Sequence, residues 1–134
     1  MSEPAAGAAK RALVAGHADF AAGLVSAVEA ICGRGDVLVP IQVKGLCGTD
    51  IEELLKRTLL ECGARVIFTD LQAGSCTMAA RRVQRAMEGV VLVAGANLPM
   101  LLDFTLSADG DIVAAAAHAA EKGRASVNVF GAPA

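Results

Sequence analysis

A histidine and a carboxylate each follow a short apolar run in this sequence. His17 comes directly after "ALVAG", and Asp70 comes directly after "VIFT". A carboxylate on one imidazole nitrogen fixes the tautomer of the ring and leaves the other nitrogen free as a nucleophile. Gly74, Ser75 and Cys76 then open a predicted helix, whose free N–H groups suit the oxygens of a phosphoryl group. Together these residues predict a histidine that carries a phosphoryl group.

Four apolar runs of the sequence alternate with segments in which apolar residues recur at helical spacing. Nearly continuous runs of this kind are typical of strands that helices cover on both faces, so we predict a doubly wound α/β fold with a parallel sheet. Pro40 has no backbone N–H to donate to a neighbouring strand, which indicates that its own strand lies at an edge of the sheet. The carboxyl ends of the strands form the ligand crevice of such sheets. The predicted strands are 12–15, 37–43, 66–69 and 90–94.

Capping signals mark the ends of the predicted helices. Thr49 and Glu52 have capping-box spacing at the start of the second helix, and Gly63 stands where its C-terminal cap is expected. The fourth helix is predicted to start near Asn97. Two further helices are predicted over 75–87 and 111–122, and a short strand over 125–130.

The chain has 134 residues, of which 54% are hydrophobic, and this is enough for one domain. We predict a flexible tail over residues 1–10 and a single domain over residues 11–134. The formal net charge of -2 provides no basic surface for a nucleic acid or an anionic membrane. The N-terminus lacks the plan of a signal peptide, and polar residues interrupt the longest apolar stretch, so we expect a cytoplasmic protein.

Other interpretations of these residues stay open. A histidine at a strand end is often a structural group, and Asp70 can be an ordinary helix cap or turn residue. Cys47 and Cys76 lack a paired Cys motif, yet with His17 and Asp70 they could form a metal site at the same crevice. A regulatory or interaction module with this fold is a third possibility. We expect no metal and no cofactor.

Three segments resemble the enzyme IIA domain of the mannose/fructose/sorbose type in the bacterial phosphoenolpyruvate-dependent sugar phosphotransferase system. They are "LVAGHADFAAGLVSAVEAICG", "VIFTDLQAGSCTMAA" and "VLVAGANLPMLLD". Their order and spacing agree with that family over residues 11–130. The phrase "GTDIEELL" also resembles the phosphotransferase subunit of the dihydroxyacetone kinase system, but "GANLPML" favours the sugar IIA group.

The resemblance implies a phosphotransferase without a cofactor. His17 would accept a phosphoryl group from the histidine phosphocarrier protein and pass it to a IIB component for sugar uptake. Asp70 would orient His17, and Ser75 would help to hold the phosphoryl oxygens beside Gly74 and Cys76. The implied fold is a parallel sheet of strand order 2-1-3-4 with helices on both faces. Proteins of this family are usually homodimers that associate through a C-terminal strand. The resemblance also implies a cytoplasmic protein, which would associate with the membrane only through the permease that its IIB partner serves.

The sequence departs from the family pattern next to the carboxylate. Leu71 stands where the family often has threonine, and the turn has Ala73 and Cys76 where the family has glycine and proline. Ala73 lacks the freedom of glycine to adopt a positive φ, and Cys76 lacks the rigidity of proline at a helix start.

The second histidine, His118, lies in a predicted alanine-rich helix and is far from these motifs along the chain. We therefore predict that His17 is the sole phosphorylation site.

Overall fold

The computed structural model describes residues 9–131, so most of the predicted tail over 1–10 lies outside the described residues. Strands and helices alternate along the chain, as the apolar runs predict. No helix within the described range is long and apolar enough to cross a bilayer. The elements are β1 (Ala12–Ala15), α1 (Phe20–Cys32), β2 (Leu38–Ile41), α2 (Gly48–Cys62), β3 (Val66–Thr69), α3 (Ser75–Ala86), β4 (Val91–Ala94), α4 (Leu98–Leu106) and α5 (Ile112–Ala125).

The four strands form one parallel sheet in the order β2-β1-β3-β4, which confirms the expected fold and strand order. The central strands β1 and β3 are buried along their whole length. Pro40 lies in the edge strand β2, as its missing N–H predicts. β2 is shorter than the predicted 37–43, because Val37 ends a 3₁₀ turn and the chain leaves the sheet after Ile41.

Helices pack on both faces of the sheet and form two apolar cores. Because side chains alternate along a strand, Val14 faces the core under α1, α4 and α5, whereas Leu13 faces the core under α2 and α3. Phe68 and Phe104 meet edge to face in the first core, with ring centroids 5.0 Å apart. Because an apolar core holds helices against each face of the sheet, the loops that follow the strands are attached to a rigid support.

Helix α2 begins at Gly48, two residues earlier than the capping-box spacing predicts. Its N-cap is Cys47, and Thr49 already lies inside the helix, so the predicted capping box of Thr49 and Glu52 is wrong. A capping residue needs a non-helical backbone, which Thr49 does not have. Glu52 instead accepts a hydrogen bond from Arg82 Nε at 2.8 Å and joins α2 to α3. Gly63 ends α2 in the left-handed conformation, as predicted.

The end of the described chain is not a strand. Helix α5 continues to Ala125, and residues 126–131 form no ladder with any described strand, so the predicted strand over 125–130 is wrong for the single chain. A strand is stabilised only by a hydrogen-bonded neighbour, and this segment has none within residues 9–131. Val127, Val129 and Phe130 are instead exposed to solvent.

Asn97 joins the start of α4 to the end of α5. Its Oδ1 accepts the Met100 N–H at 3.1 Å, and its Nδ2 donates to the Gly123 carbonyl at 3.0 Å, so Asn97 caps α4 at the helix start that the sequence predicts. The two helices touch closely here, because a Cβ on Gly123 would lie 2.8 Å from Met100 Cε. One side chain therefore satisfies a helix N-terminus and a carbonyl of the neighbouring helix.

We expect Asn97→Ala to lower the free energy of unfolding by about 1–2 kcal/mol, since it removes both a helix cap and an interhelical hydrogen bond. Urea unfolding followed by circular dichroism measures this change. Gln42→Ala is the control, because Gln42 is exposed and its Oε1 accepts only the N–H of Lys44, two residues along the chain. Equal stabilities of the two variants would contradict this role of Asn97.

Candidate active site

His17 and Asp70 lie side by side at the carboxyl edge of the sheet. The last residues of β1 and β3, Ala15 and Thr69, are partners in the parallel register, so the loops that follow start next to each other. His17 Nδ1 is 2.7 Å from Asp70 Oδ2, and the same oxygen accepts the backbone N–H of His17 at 2.8 Å. Asp70 therefore holds both the ring and the main chain of His17.

The pair differs strongly in exposure. The His17 side chain is 57% exposed, whereas the Asp70 side chain is 10% exposed. Burial raises the pKa of Asp70, but the hydrogen bonds from the His17 backbone and ring and the charge of that ring outweigh burial and hold the pKa below its ordinary value. Asp70 is thus a carboxylate at neutral pH. An ionised acceptor on Nδ1 keeps the proton there, and Nε2 is left with its lone pair.

Two glycines allow the close approach of the groups around this pair. A Cβ on Gly16 would lie 2.6 Å from Phe20 Cδ2 and 3.0 Å from Asp70 Cγ, so only glycine leaves room for the carboxylate. A Cβ on Gly74 would lie 3.2 Å from His17 Cε1. The start of α3 is therefore in contact with the imidazole ring.

The N-terminus of α3 supplies hydrogen-bond donors beside that ring. The first bond of the helix runs from the Met78 N–H to the Gly74 carbonyl at 2.9 Å, so the N–H groups of Ser75, Cys76 and Thr77 have no acceptor within the helix. These donors and the positive end of the helix dipole favour an anion. The predicted phosphoryl-binding residues Gly74, Ser75 and Cys76 thus stand together next to His17.

The three residues contribute in different ways. The Ser75 side chain is exposed, whereas Cys76 is fully buried and can offer only its N–H group to a ligand at the surface. Burial raises the pKa of the Cys76 thiol, and the charge of Asp70 raises it further. The thiol is therefore protonated and unsuited to act as a nucleophile.

The turn between Asp70 and α3 accommodates its unusual residues without backbone strain. Among the non-glycine residues of the described range, only Ala18 has a positive φ, at 48°. Ala73 therefore adopts an ordinary conformation, and the freedom of a glycine is not needed at that position. Ala18, directly after His17, holds the tight turn in which the Phe20 N–H donates to the His17 carbonyl at 2.9 Å.

The alternative of a metal site receives no support from the geometry. Cys47 is exposed and its thiol donates to Asp50 Oδ2 at 3.3 Å. Across residues 9–131, no three His, Cys, Asp or Glu side chains are grouped so that they could hold a metal ion. Cys47 and Cys76 do not form a ligand set with His17.

His118 forms a second histidine–carboxylate pair, which the sequence analysis did not foresee. Its Nδ1 is 2.8 Å from Asp103 Oδ2, and its side chain is exposed. Asp103 lies on α4 and His118 within α5, so the pair joins two helices. Backbone N–H groups inside a helix are already bonded, so this surface lacks the free donors that stand beside His17.

Two further features near His17 were also missed from the sequence. Gly16 had a detectable signal, since a glycine between a buried strand and a polar residue often marks a close backbone approach. The ion pair of Lys44 with Asp19, at 3.0 Å, joins the loops after β2 and β1. Exposed charges of this kind carry no sequence signal, because their partners are set by the tertiary fold.

Comparison with known proteins finds a family model and several solved structures that are similar to this chain. A family model described as the PTS system fructose IIA component, EIIA-man, matches residues 11–121. The mannose/sorbose-specific IIA subunit from Enterococcus faecalis superposes with a TM-score of 0.78 at 20% sequence identity, covering 95% of this chain and 98% of that one. The PTS IIA protein associated with the fucose utilization operon of Streptococcus pneumoniae gives 0.74 at 24% identity, covering 90% and 92%.

These structural neighbours establish the shared fold, and the family match adds the sequence relationship. EIIA from Streptococcus agalactiae gives a TM-score of 0.72 at 22% identity, over 84% of this chain and 93% of that one. A comparison with curated protein sequences gave no significant match. Because the family match covers the greater part of the sequence, including both strand ends of the site, the chain belongs to the EIIA-man family of phosphotransferase-system IIA components.

Proposed function

We propose that the protein accepts a phosphoryl group on Nε2 of His17 from the histidine phosphocarrier protein and passes it to a IIB component of a sugar permease. The observation that carries this proposal is the 2.7 Å bond between His17 Nδ1 and Asp70 Oδ2, placed against the N-terminus of α3. It leaves one imidazole nitrogen basic and exposed beside unpaired N–H donors. Membership of the family supports the same role.

In the proposed step, Nε2 of His17 attacks the phosphorus of the donor's phosphohistidine. The new N–P bond forms as the donor's N–P bond breaks, and the electron pair of that bond returns to the donor's ring nitrogen. The proton on Nδ1 stays there, where Asp70 stabilises the positive charge that develops on the ring. The reverse sequence delivers the group to a histidine of the IIB component.

The N-terminus of α3 acts on the phosphoryl oxygens during both transfers. The N–H groups of Ser75 and Cys76 and the exposed hydroxyl of Ser75 are donors fixed at a helix end, so they need no reorganisation when charge develops on the oxygens. Removal of one such preorganised donor typically slows a transfer by about 10²-fold or more. Nothing in this step requires a metal ion or a cofactor.

The surface around His17 suits transient contact with both partner proteins. The ring is exposed, and the apolar side chains of Leu46, Leu71 and Met78 are exposed on the loops and helix at the same edge of the sheet. A partner protein can cover these apolar side chains while its own histidine approaches Nε2 of His17. In this proposal the protein works in the cytoplasm and meets the membrane only through the permease.

Two other functions of the same fold give different experimental outcomes. The phosphotransferase subunit of a dihydroxyacetone kinase system would use the same histidine but would not serve a IIB component. A regulatory module would keep the fold without turnover. The family match supports the sugar IIA assignment, and transfer of the phosphoryl group to a IIB component would distinguish it from both.

We expect His17→Ala to abolish phosphorylation by phosphoenolpyruvate, enzyme I and the histidine phosphocarrier protein, because it removes the only proposed acceptor nitrogen. Intact-mass analysis of the wild type should show one acid-labile phosphoryl group. His118→Ala is the matched control, since His118 also bonds a carboxylate through Nδ1, and it should be labelled normally. A labelled His17→Ala protein would overturn the assignment.

We expect Asp70→Asn to slow phosphoryl transfer by at least about tenfold, a barrier change of roughly 1.4 kcal/mol. Asparagine keeps the shape of the side chain but loses the charge that stabilises the ring and selects its tautomer. Rapid-quench phosphorylation measures the rate, and thermal melts monitor folding. Asp103→Asn, at the second histidine pair, is the control and should transfer normally. A normal rate in a destabilised Asp70→Asn protein would mean that Asp70 is only structural.

We further propose that two copies of the chain associate through the edge strand β4 and the terminal segment 127–130. β4 is only half-buried, and a groove of about 520 Å³ lies between it, α4 and α5. The terminal segment of a second copy is the proposed occupant, because its apolar side chains are exposed and β4 has no neighbour on its outer side within the described chain. Pairing there would protect a free sheet edge.

We expect sedimentation equilibrium at micromolar concentration to show a dimer of the 13.6 kDa chain. Val129→Asp should shift the protein to monomer, because it places a charge in the pairing segment. Leu60→Asp, at an exposed apolar position on α2 across the sheet, is the control and should remain dimeric. A monomeric wild type, or a Val129→Asp protein that remains dimeric, would contradict this interface.

A further inference from the structure

Two buried threonines lie directly beneath the turn that carries Asp70. Thr69 is completely buried, and Thr77 is 2% exposed. The Thr77 hydroxyl donates to the Leu71 carbonyl, and the oxygens of the two hydroxyls are 2.6 Å apart. A hydroxyl has a single proton, so Thr69 must be the donor to Thr77. The result is a directed relay from the Thr69 hydroxyl through the Thr77 hydroxyl to the Leu71 carbonyl.

Two members of this relay, Thr69 and Leu71, are the residues on either side of Asp70 in the sequence. Thr69 precedes the carboxylate and Leu71 follows it, while Thr77 belongs to the first turn of α3. The Thr69 carbonyl also accepts the N–H groups of Gly95 and Ala96, at 3.0 and 2.8 Å. The backbone around Asp70 is therefore joined to the loop after β4 through the Thr69 carbonyl and to α3 through the Thr77 hydroxyl.

The turn itself has little packing to hold it in place. Leu71 and residues 72–73 are exposed, and Gly74 is only half-buried. Exposed backbone with few apolar contacts is the kind of segment that fluctuates most easily. The Thr77 hydroxyl bonds this turn from the buried side, so it is the main polar restraint between Asp70 and α3.

We propose that Thr77 is a positioning residue, whose hydroxyl fixes the Asp70 carboxylate and the N-terminus of α3 in one geometry about His17. The carboxylate acts on Nδ1 and the helix donors act on a group at Nε2, so both must keep a constant distance from the same ring. This inference rests on the proposed phosphoryl transfer for its effect on rate. Its effect on the imidazole tautomer is independent of that function.

The test is Thr77→Val, which keeps the shape of the side chain and removes the hydroxyl. We expect phosphoryl transfer to slow by about tenfold, as for other losses of one positioning interaction. In the unphosphorylated protein, ¹⁵N chemical shifts of the His17 ring should change from a single Nδ1–H tautomer in the wild type to a mixture. Thr77→Ser keeps the hydroxyl and should restore both the rate and the single tautomer.

Thr105→Val is the matched control. Thr105 is completely buried and its hydroxyl bonds the Leu102 carbonyl at 3.1 Å, but it lies in α4. It should lower stability without changing the His17 tautomer or the rate. If Thr77→Val does not fold, Thr69→Val removes the other hydroxyl of the relay and should shift both readouts in the same direction.

The outcomes separate the inference from the proposed function. A wild-type protein that takes up no phosphoryl group would overturn the function, while the ¹⁵N measurement would still decide whether Thr77 positions the ring. A folded Thr77→Val protein with the wild-type tautomer would overturn the inference. The same is true if Thr105→Val changes the tautomer as much as Thr77→Val, since the effect would then be a general loss of stability.

Discussion

The candidate site depends on one hydrogen-bonded pair, His17 with Asp70, formed where two neighbouring parallel strands end. Parallel pairing of β1 with β3 places the two following loops at the same edge, and burial of the carboxylate makes its interaction with the ring specific. A single oxygen of Asp70 accepts from both the main chain and the ring of His17. The pair therefore couples the position of the backbone to the tautomer of the imidazole.

Several features with no chemistry of their own are needed to form this pair. Gly16 leaves room for the carboxylate, and Gly74 lets the start of α3 touch the ring. The hydroxyl relay below the turn then sets the distance between the carboxylate and the helix. A substitution at any of these positions would act on the proposed phosphoryl transfer through His17, although none of these residues supplies a reacting atom.

The sequence predicted the sheet, and with it the proximity of His17 and Asp70, because the signals for the strands are local. Continuous apolar runs located β1 and β3, and the edge position of β2 followed from the chemistry of Pro40. His17 and Asp70 were predicted to meet because parallel strands end at a common edge. The start of α4 was predicted near Asn97 because a proline in the following turn is typical of the beginning of a helix.

The errors arose where the outcome depends on partners distant in the chain. Glu52 bonds Arg82 on α3 instead of closing a capping box, because α2 begins at Gly48 and Thr49 already lies inside the helix. The segment 125–130 has the alternation of a strand, yet a strand requires a hydrogen-bonded neighbour, and residues 9–131 of the same chain do not provide one. The hydroxyl relay could not be predicted, since buried threonines look like ordinary core residues until their tertiary contacts are known.

The position of phosphorus on the ring tests the central claim most directly. The protein would be labelled with ¹⁵N at histidine, phosphorylated through enzyme I and the histidine phosphocarrier protein, and studied by ¹⁵N and ³¹P NMR. The account predicts a single N–P coupling to Nε2 of His17, with a proton retained on Nδ1. Phosphorus on Nδ1, where Asp70 is bonded, or on His118 would contradict it.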